Sequence, residues 1–119
     1  MPSDDRLEAL MRGLRAQYLA DADERVAELR SGLARVETRE PESLDRLRRL
    51  FHKLAGSGGS YGLDDVTAHS REGEHATKRL LDAGMPPEHA ALAELTAHVQ
   101  RVADAFAAAK KAVLDGSIG

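Results

Sequence analysis

The sequence predicts an all-α protein, an antiparallel up-down four-helix bundle with an extended or kinked N-terminal helix. The apolar residues are mostly Ala, Leu and Val, with no Trp, two Phe and two Tyr in 119 residues, and this mixture favours helix over strand. Apolar side chains also recur every three or four residues in separate segments joined by short connections. Each such helix has one apolar face, and antiparallel neighbours bury those faces most simply.

We expect the four helices at about residues 4–37, 41–60, 64–83 and 86–114. At about 1.5 Å per residue the first would be longer than any partner, so a kink is expected at Gly13 or near Asp21. Pro41 suits the first position of the second helix, and Gly84 suits the residue that follows the third.

The third and fourth predicted helices differ in how regular their apolar faces are. His69 and Gly73 share the inner face of the third helix, where apolar side chains would pack better, so looser packing is expected there. The fourth helix has the most regular seam in the chain, formed by Leu92, Leu95, Val99, Val102, Phe106, Ala109 and Val113.

Length and composition restrict the kind of protein. The chain suits one domain, residues 1–119, and its net charge of −3 argues against a nucleic-acid module. No apolar run reaches the roughly 18 residues needed to cross a membrane, and no signal peptide is visible. The lack of cysteine fits a reducing compartment. We therefore expect a soluble cytoplasmic protein, and we expect it to be a monomer. Its start at Met1 favours a free-standing protein.

His52 lies in the second predicted helix, about 130° around the helix axis from the centre of the apolar face, so it should point to solvent. Gly56, Gly58 and Gly59 follow it. Each glycine costs roughly 0.5–1 kcal/mol relative to alanine in a helix interior, so another advantage must favour it. We interpret Gly56 and Gly59, with Ala55, as a partner-docking surface that gives access to His52.

Three cations accompany this histidine. Arg48 and Arg49 lie one turn before His52 on its side of the helix. Lys53 follows His52 directly, but its side chain is less well directed towards the histidine. Positive charges there would attract an anionic group. The arrangement predicts an exposed histidine on a flat, cationic surface.

Other kinds of chemistry fit the sequence less well. Glu72 and His75 have the Glu-x-x-His spacing of carboxylate-bridged di-metal bundles, but His89 and His98 have no acid three residues before them. A di-metal bundle is therefore a distant alternative, and we expect no cofactor and no metal ligands in this chain. There is also no cysteine, and no serine lies in a strand-turn-helix context that would make it a nucleophile.

The stretch His52-Lys53-Leu54-Ala55-Gly56-Ser57, with Gly62 ten positions after the histidine, resembles the signature of histidine phosphotransfer (Hpt) domains. The pattern of that family is His-x-Leu-Lys-Gly-Ser, followed by a glycine at the later position and a glutamate near the middle of the next helix, which Glu74 matches. The resemblance extends roughly from Leu14 to Leu81. The main departure is Ala55, where the family has lysine.

This resemblance implies a four-helix phosphohistidine carrier without catalytic activity of its own. His52 would accept a phosphoryl group from a receiver-domain aspartyl phosphate or a histidine kinase and pass it to another receiver domain. The partner would supply Mg²⁺, while Arg48, Arg49 and Lys53 would provide electrostatic help. Because Ala55 replaces the usual lysine, a helical adaptor that docks a receiver domain or kinase without being phosphorylated stays open as the alternative.

Overall fold

The computed structural model describes the backbone of residues 2–115 and the side chains of residues 5–115. Five helices and no strands occupy this part of the chain: α1 Pro2–Ala20, α2 Ala22–Glu37, α3 Ser43–Ser60, α4 Asp64–Ala83 and α5 His89–Leu114. The all-α prediction is confirmed. Residue 1 and residues 116–119 of the expected single domain lie outside the described residues.

The long first segment is divided into two helices at Asp21. There the backbone leaves helical geometry, with φ −96° and ψ 8°, and Asp23 and Glu24 occupy the first turn of α2. Acidic side chains in a first turn are favoured by the helix dipole. Of the two expected positions for a kink, the break lies at Asp21, whereas Gly13 is inside α1.

Helices α2 to α5 form the bundle, and each packs against its two neighbours in the order α2, α3, α4, α5 and back to α2. Helix α1 packs mainly on α5. The core is formed by the largest fully buried side chains, which are Phe51, Phe106, Leu29, Leu47, Leu95, Val66, Val99 and Val102. No helix in the described part of the chain combines the length and apolar composition needed to cross a membrane.

Two helices begin later than their sequence patterns indicated. Helix α3 begins at Ser43 rather than Pro41, because Glu42 adopts a left-handed conformation with φ 63° that a helix cannot contain. Helix α5 begins at His89 rather than at residue 86, since Glu88 is extended, with φ −81° and ψ 173°. Helix α4 ends as expected, with Gly84 in the left-handed conformation after Ala83.

The expectation of loose packing for the third predicted helix, α4, is wrong. Gly73 lies against the ring of Phe51, and a Cβ atom on Gly73 would overlap that ring. Gly58 of α3 makes a similar approach, because a Cβ there would lie 2.9 Å from Thr67 Oγ1 and 3.1 Å from Val66 Cγ1. Both glycines let α3 and α4 approach closely, so Gly58 serves helix packing rather than access to His52.

Candidate functional site

His52 lies near the middle of α3, on the side of the helix that faces away from the core. Its neighbours Phe51, Leu54 and Ala55 are buried, and this fixes the rotation of α3 about its own axis. As a result 73% of the His52 side chain is exposed. The structure therefore places the predicted histidine on the surface, where another protein can reach its ring.

The ring of His52 is held by a carboxylate on the neighbouring helix. Nδ1 of His52 lies 2.6 Å from Oε2 of Glu74, whose side chain is only 18% exposed. A carboxylate at this distance accepts a hydrogen bond from Nδ1–H, so the lone pair is left on Nε2. Nε2 is thus the nitrogen that is available to react.

Two of the cations of α3, Arg48 and Arg49, are held by one acidic side chain. Asp45 Oδ1 lies 2.9 Å from an Nη atom of Arg48, and its Oδ2 lies 2.6 Å from an Nη atom of Arg49. Both guanidinium groups are thus directed towards Asp45, seven residues before His52. Lys53 is exposed on the side of α3 next to His52. The ion pairs of Asp45 with these arginines were not predicted from the sequence. Asp45 precedes them by three and four residues, the spacing at which charged side chains of one helix meet.

The glycines after His52 differ in their surroundings. A Cβ atom on Gly56 would meet nothing within 4 Å, and one on Gly59 would reach only Thr67 Oγ1 at 3.6 Å. Both residues are exposed, so this side of His52 is flat. Ala55 is different, because it is 6% exposed and its carbonyl oxygen accepts a hydrogen bond of 3.1 Å from Thr67 Oγ1. The assignment of Ala55 to the docking surface is therefore wrong, because the residue is buried.

Ser57, the last residue of the histidine motif, connects α3 to α1. Its hydroxyl group lies 2.6 Å from that of Tyr18, and the Tyr18 ring stacks on Tyr61 with centroids 4.5 Å apart. Arg15 Nε also donates a hydrogen bond of 2.9 Å to the Tyr61 carbonyl. The second half of α1 therefore supports the end of the histidine helix, a role that the sequence pattern did not indicate.

The histidines and carboxylates of the described residues do not assemble into clusters of three or more that could hold a metal ion. The Glu-x-x-His pair considered for a di-metal site is not directed to a common centre with other acids. Instead, the Glu72 carboxylate lies 3.8 Å from Nδ1 of His69.

Comparison with known proteins agrees with this geometry. A family model described as Hpt domain matches residues 13–105, most of the chain. The chemotaxis protein CheA of Rhizobium meliloti (strain 1021) is 32% identical to this chain over 60 residues, which are 49% of this chain and 8% of that protein. No solved structure matches the chain. With a family match over this extent, and with an exposed histidine at the signature position of a helical bundle, the chain belongs to the Hpt domain family.

Proposed function

We propose that this protein is a phosphorelay intermediate that accepts a phosphoryl group on Nε2 of His52 and transfers it to a receiver domain. The observation that carries the proposal is the contact of 2.6 Å between Nδ1 of His52 and the Glu74 carboxylate. That contact leaves Nε2 as the free nitrogen on an exposed ring, beside a surface without side chains at Gly56.

The transfer is an in-line displacement at phosphorus. The lone pair on Nε2 forms the N–P bond while the P–O bond of the partner's aspartyl phosphate breaks, and the aspartate leaves as a carboxylate. The ring becomes positively charged, and the Glu74 carboxylate stabilises that charge through Nδ1–H. The reverse reaction passes the phosphoryl group to another receiver domain.

The partner supplies the remaining chemistry. Phosphoryl transfer depends mainly on positioning and on electrostatic stabilisation, which the Mg²⁺ of a receiver domain provides. This chain acts as the carrier, and it has no catalytic activity of its own. Arg48, Arg49 and Lys53 attract the anionic donor at longer range, while Gly56 and Gly59 allow it to approach. We place this exchange in the cytoplasm, where receiver domains and histidine kinases serve as the partners of the protein.

Incubation of the full chain with a phosphorylated receiver domain tests the proposal. Wild type should gain a label that is lost in acid and retained in alkali, as expected for a phosphohistidine, and His52→Gln should gain none. The other histidines, His69, His75, His89 and His98, remain in that variant and serve as an internal control. Stable binding of the receiver domain without any label would instead support the adaptor function, which the replacement of the family lysine by Ala55 favours.

A further inference from the structure

The phosphoryl group would meet an unfavourable charge at His52. A phosphoryl group carries roughly 1.5 to 2 negative charges near neutral pH. On Nε2 it would stand across the ring from the Glu74 carboxylate, which lies 2.6 Å from Nδ1. The carboxylate offsets the positive charge of the phosphorylated ring, but it also repels the phosphoryl group on the other side of that ring, so a cation that contacts the phosphoryl group would favour the phosphorylated state. This inference rests on the proposed function.

The three cations of α3 that lie within one turn of His52 are poorly placed for such a contact. Arg48 and Arg49 are both held by Asp45, at 2.9 and 2.6 Å, towards the beginning of the helix. Lys53 follows His52 directly, and adjacent residues of a helix point about 100° apart. Arg48 and Arg49 therefore point to Asp45, and Lys53 leaves the helix in a different direction from His52.

Arg71 of α4 lies on the helix face that carries the contact with His52. Two contacts define this face: Thr67 Oγ1 donates to the Ala55 carbonyl at 3.1 Å, and Glu74 meets His52 at 2.6 Å. Arg71 is four residues after Thr67 and three before Glu74, and residues at these spacings lie on one side of a helix. Its position along α3 is therefore between Ala55 and His52.

The side chain of Arg71 is available for a ligand. It is exposed, and within residues 5–115 it forms no hydrogen bond or ion pair. Lys78, the cation on the other side of Glu74, is held at 3.0 Å by Asp82. On α3, Gly56 follows Ala55 near the level of Arg71. A Cβ atom on Gly56 would meet nothing within 4 Å. The space beside the His52 ring is thus open to the guanidinium group.

We propose that Arg71 binds the phosphoryl group on His52, and that it supplies from α4 the positive charge that the family places on α3 three residues after the histidine. The residue at that family position, Ala55, is only 6% exposed and carries no charge. An arginine on α4 would place the positive charge beside the phosphoryl group from the neighbouring helix. A guanidinium group is well suited to this role, because it donates two parallel hydrogen bonds to a phosphoryl group.

Phosphoramidate, a small phosphoryl donor, tests this contact without a protein partner. The Nε2–P bond forms as the P–N bond of the donor breaks and ammonia leaves. We expect Arg71→Gln to label His52 at least about tenfold more slowly than wild type, because a hydrogen bond to a charged group is lost. Arg71→Lys should recover part of the rate. Arg46→Gln removes an exposed cation elsewhere on α3 and is the matched control.

The outcomes separate this inference from the proposed function. A slow Arg71→Gln variant with an unchanged thermal unfolding midpoint, beside a normal Arg46→Gln variant, supports the contact. Labelling of Arg71→Gln at the wild-type rate overturns it, while labelling of wild type but not of His52→Gln leaves the carrier function intact. If neither phosphoramidate nor a phosphorylated receiver domain labels wild type at His52, the carrier function fails and the role of Arg71 fails with it.

Discussion

The carboxylate of Glu74 on α4 lies 2.6 Å from Nδ1 of His52 on α3, and the glutamate side chain is largely buried while the imidazole is largely exposed. Burial restricts the carboxylate to few positions, so the ring that it contacts is restricted as well. One helix therefore presents the histidine, and its neighbour determines which ring nitrogen faces solvent.

Removing this carboxylate should slow phosphorylation of His52. In Glu74→Ala the imidazole loses the hydrogen bond at Nδ1, so the proton moves more freely between the two nitrogens. We expect labelling from a phosphorylated receiver domain to fall by about tenfold, since hydrogen bonds to charged groups contribute roughly 1.5–3 kcal/mol. The ¹⁵N NMR signals of the His52 ring should show a larger fraction of the Nε2–H tautomer.

Glu72→Ala is the matched control, because Glu72 is an exposed acid of the same helix that lies 3.8 Å from His69. It should leave both the labelling rate and the His52 tautomer as in wild type. Equal rates for Glu74→Ala and Glu72→Ala would show that the carboxylate beside His52 does not contribute.

Gly56→Ala should stabilise the protein and leave its core unchanged. The new methyl group meets nothing within 4 Å, and alanine in a helix interior is better than glycine by roughly 0.5–1 kcal/mol. Urea unfolding should show this gain. Gly56→Leu should in addition obstruct the approach of a receiver domain and lower the rate of transfer several-fold.

Gly13 offers the comparison for these two variants, since a Cβ atom there also meets nothing within 4 Å but the residue lies in α1. Gly13→Ala should give a similar gain in stability, and Gly13→Leu should transfer at the wild-type rate. If Gly56→Leu also transferred normally, clearance for a partner would no longer explain the glycine.

Gly73→Ala should destabilise the protein by about 1–3 kcal/mol, because the added Cβ atom would overlap the buried ring of Phe51. Thermal or urea unfolding measures the loss. A double-mutant cycle with Phe51→Leu should show a smaller penalty for the alanine, since the smaller side chain makes room. If Gly73→Ala lowered the free energy of unfolding equally in wild type and in Phe51→Leu, the Phe51 ring would not be the cause of the loss.

Arg48→Gln/Arg49→Gln should reduce the rate of association with an acidic receiver domain by a few-fold at low salt. Because Asp45 holds both side chains away from His52, their effect should be of long range and should fade as added salt screens it. Stopped-flow binding at two salt concentrations measures this. A loss of rate that persists at high salt would instead indicate direct contact with the phosphoryl group.

Much of the fold follows from patterns within single helices. The apolar repeat around Leu95, Val99 and Val102 predicted α5, and these three side chains are fully buried. The exposed position of His52 followed from the rotation of α3 that buries Phe51 and Leu54. The starts of α3 and α5 were less predictable, because they depend on the backbone conformations of Glu42 and Glu88. A left-handed conformation is uncommon for glutamate, and an extended one is open to many residue types, so neither residue type indicates where its helix begins.

Contacts between two helices could not be predicted in the same way. The pattern of its own helix marks Gly73 as a weak position, and only the Phe51 ring beside it explains why a larger residue does not fit. Helical spacing places Ala55 on the surface around His52, but the residue is buried and its carbonyl oxygen bonds to Thr67 of α4. In both cases the neighbour is more than ten residues away in the chain, and no local pattern identifies it.

The sequence by itself determined the fold class, the histidine at the centre of the candidate site and the open surface at Gly56 and Gly59, because each depends on helical periodicity and residue type within one segment. Only the tertiary structure decided which ring nitrogen of His52 is free and that Asp45 holds the two arginines. The physical reason is that hydrogen bonds and charge pairs act over a few ångströms in space, and the packing of α4 on α3 sets those distances.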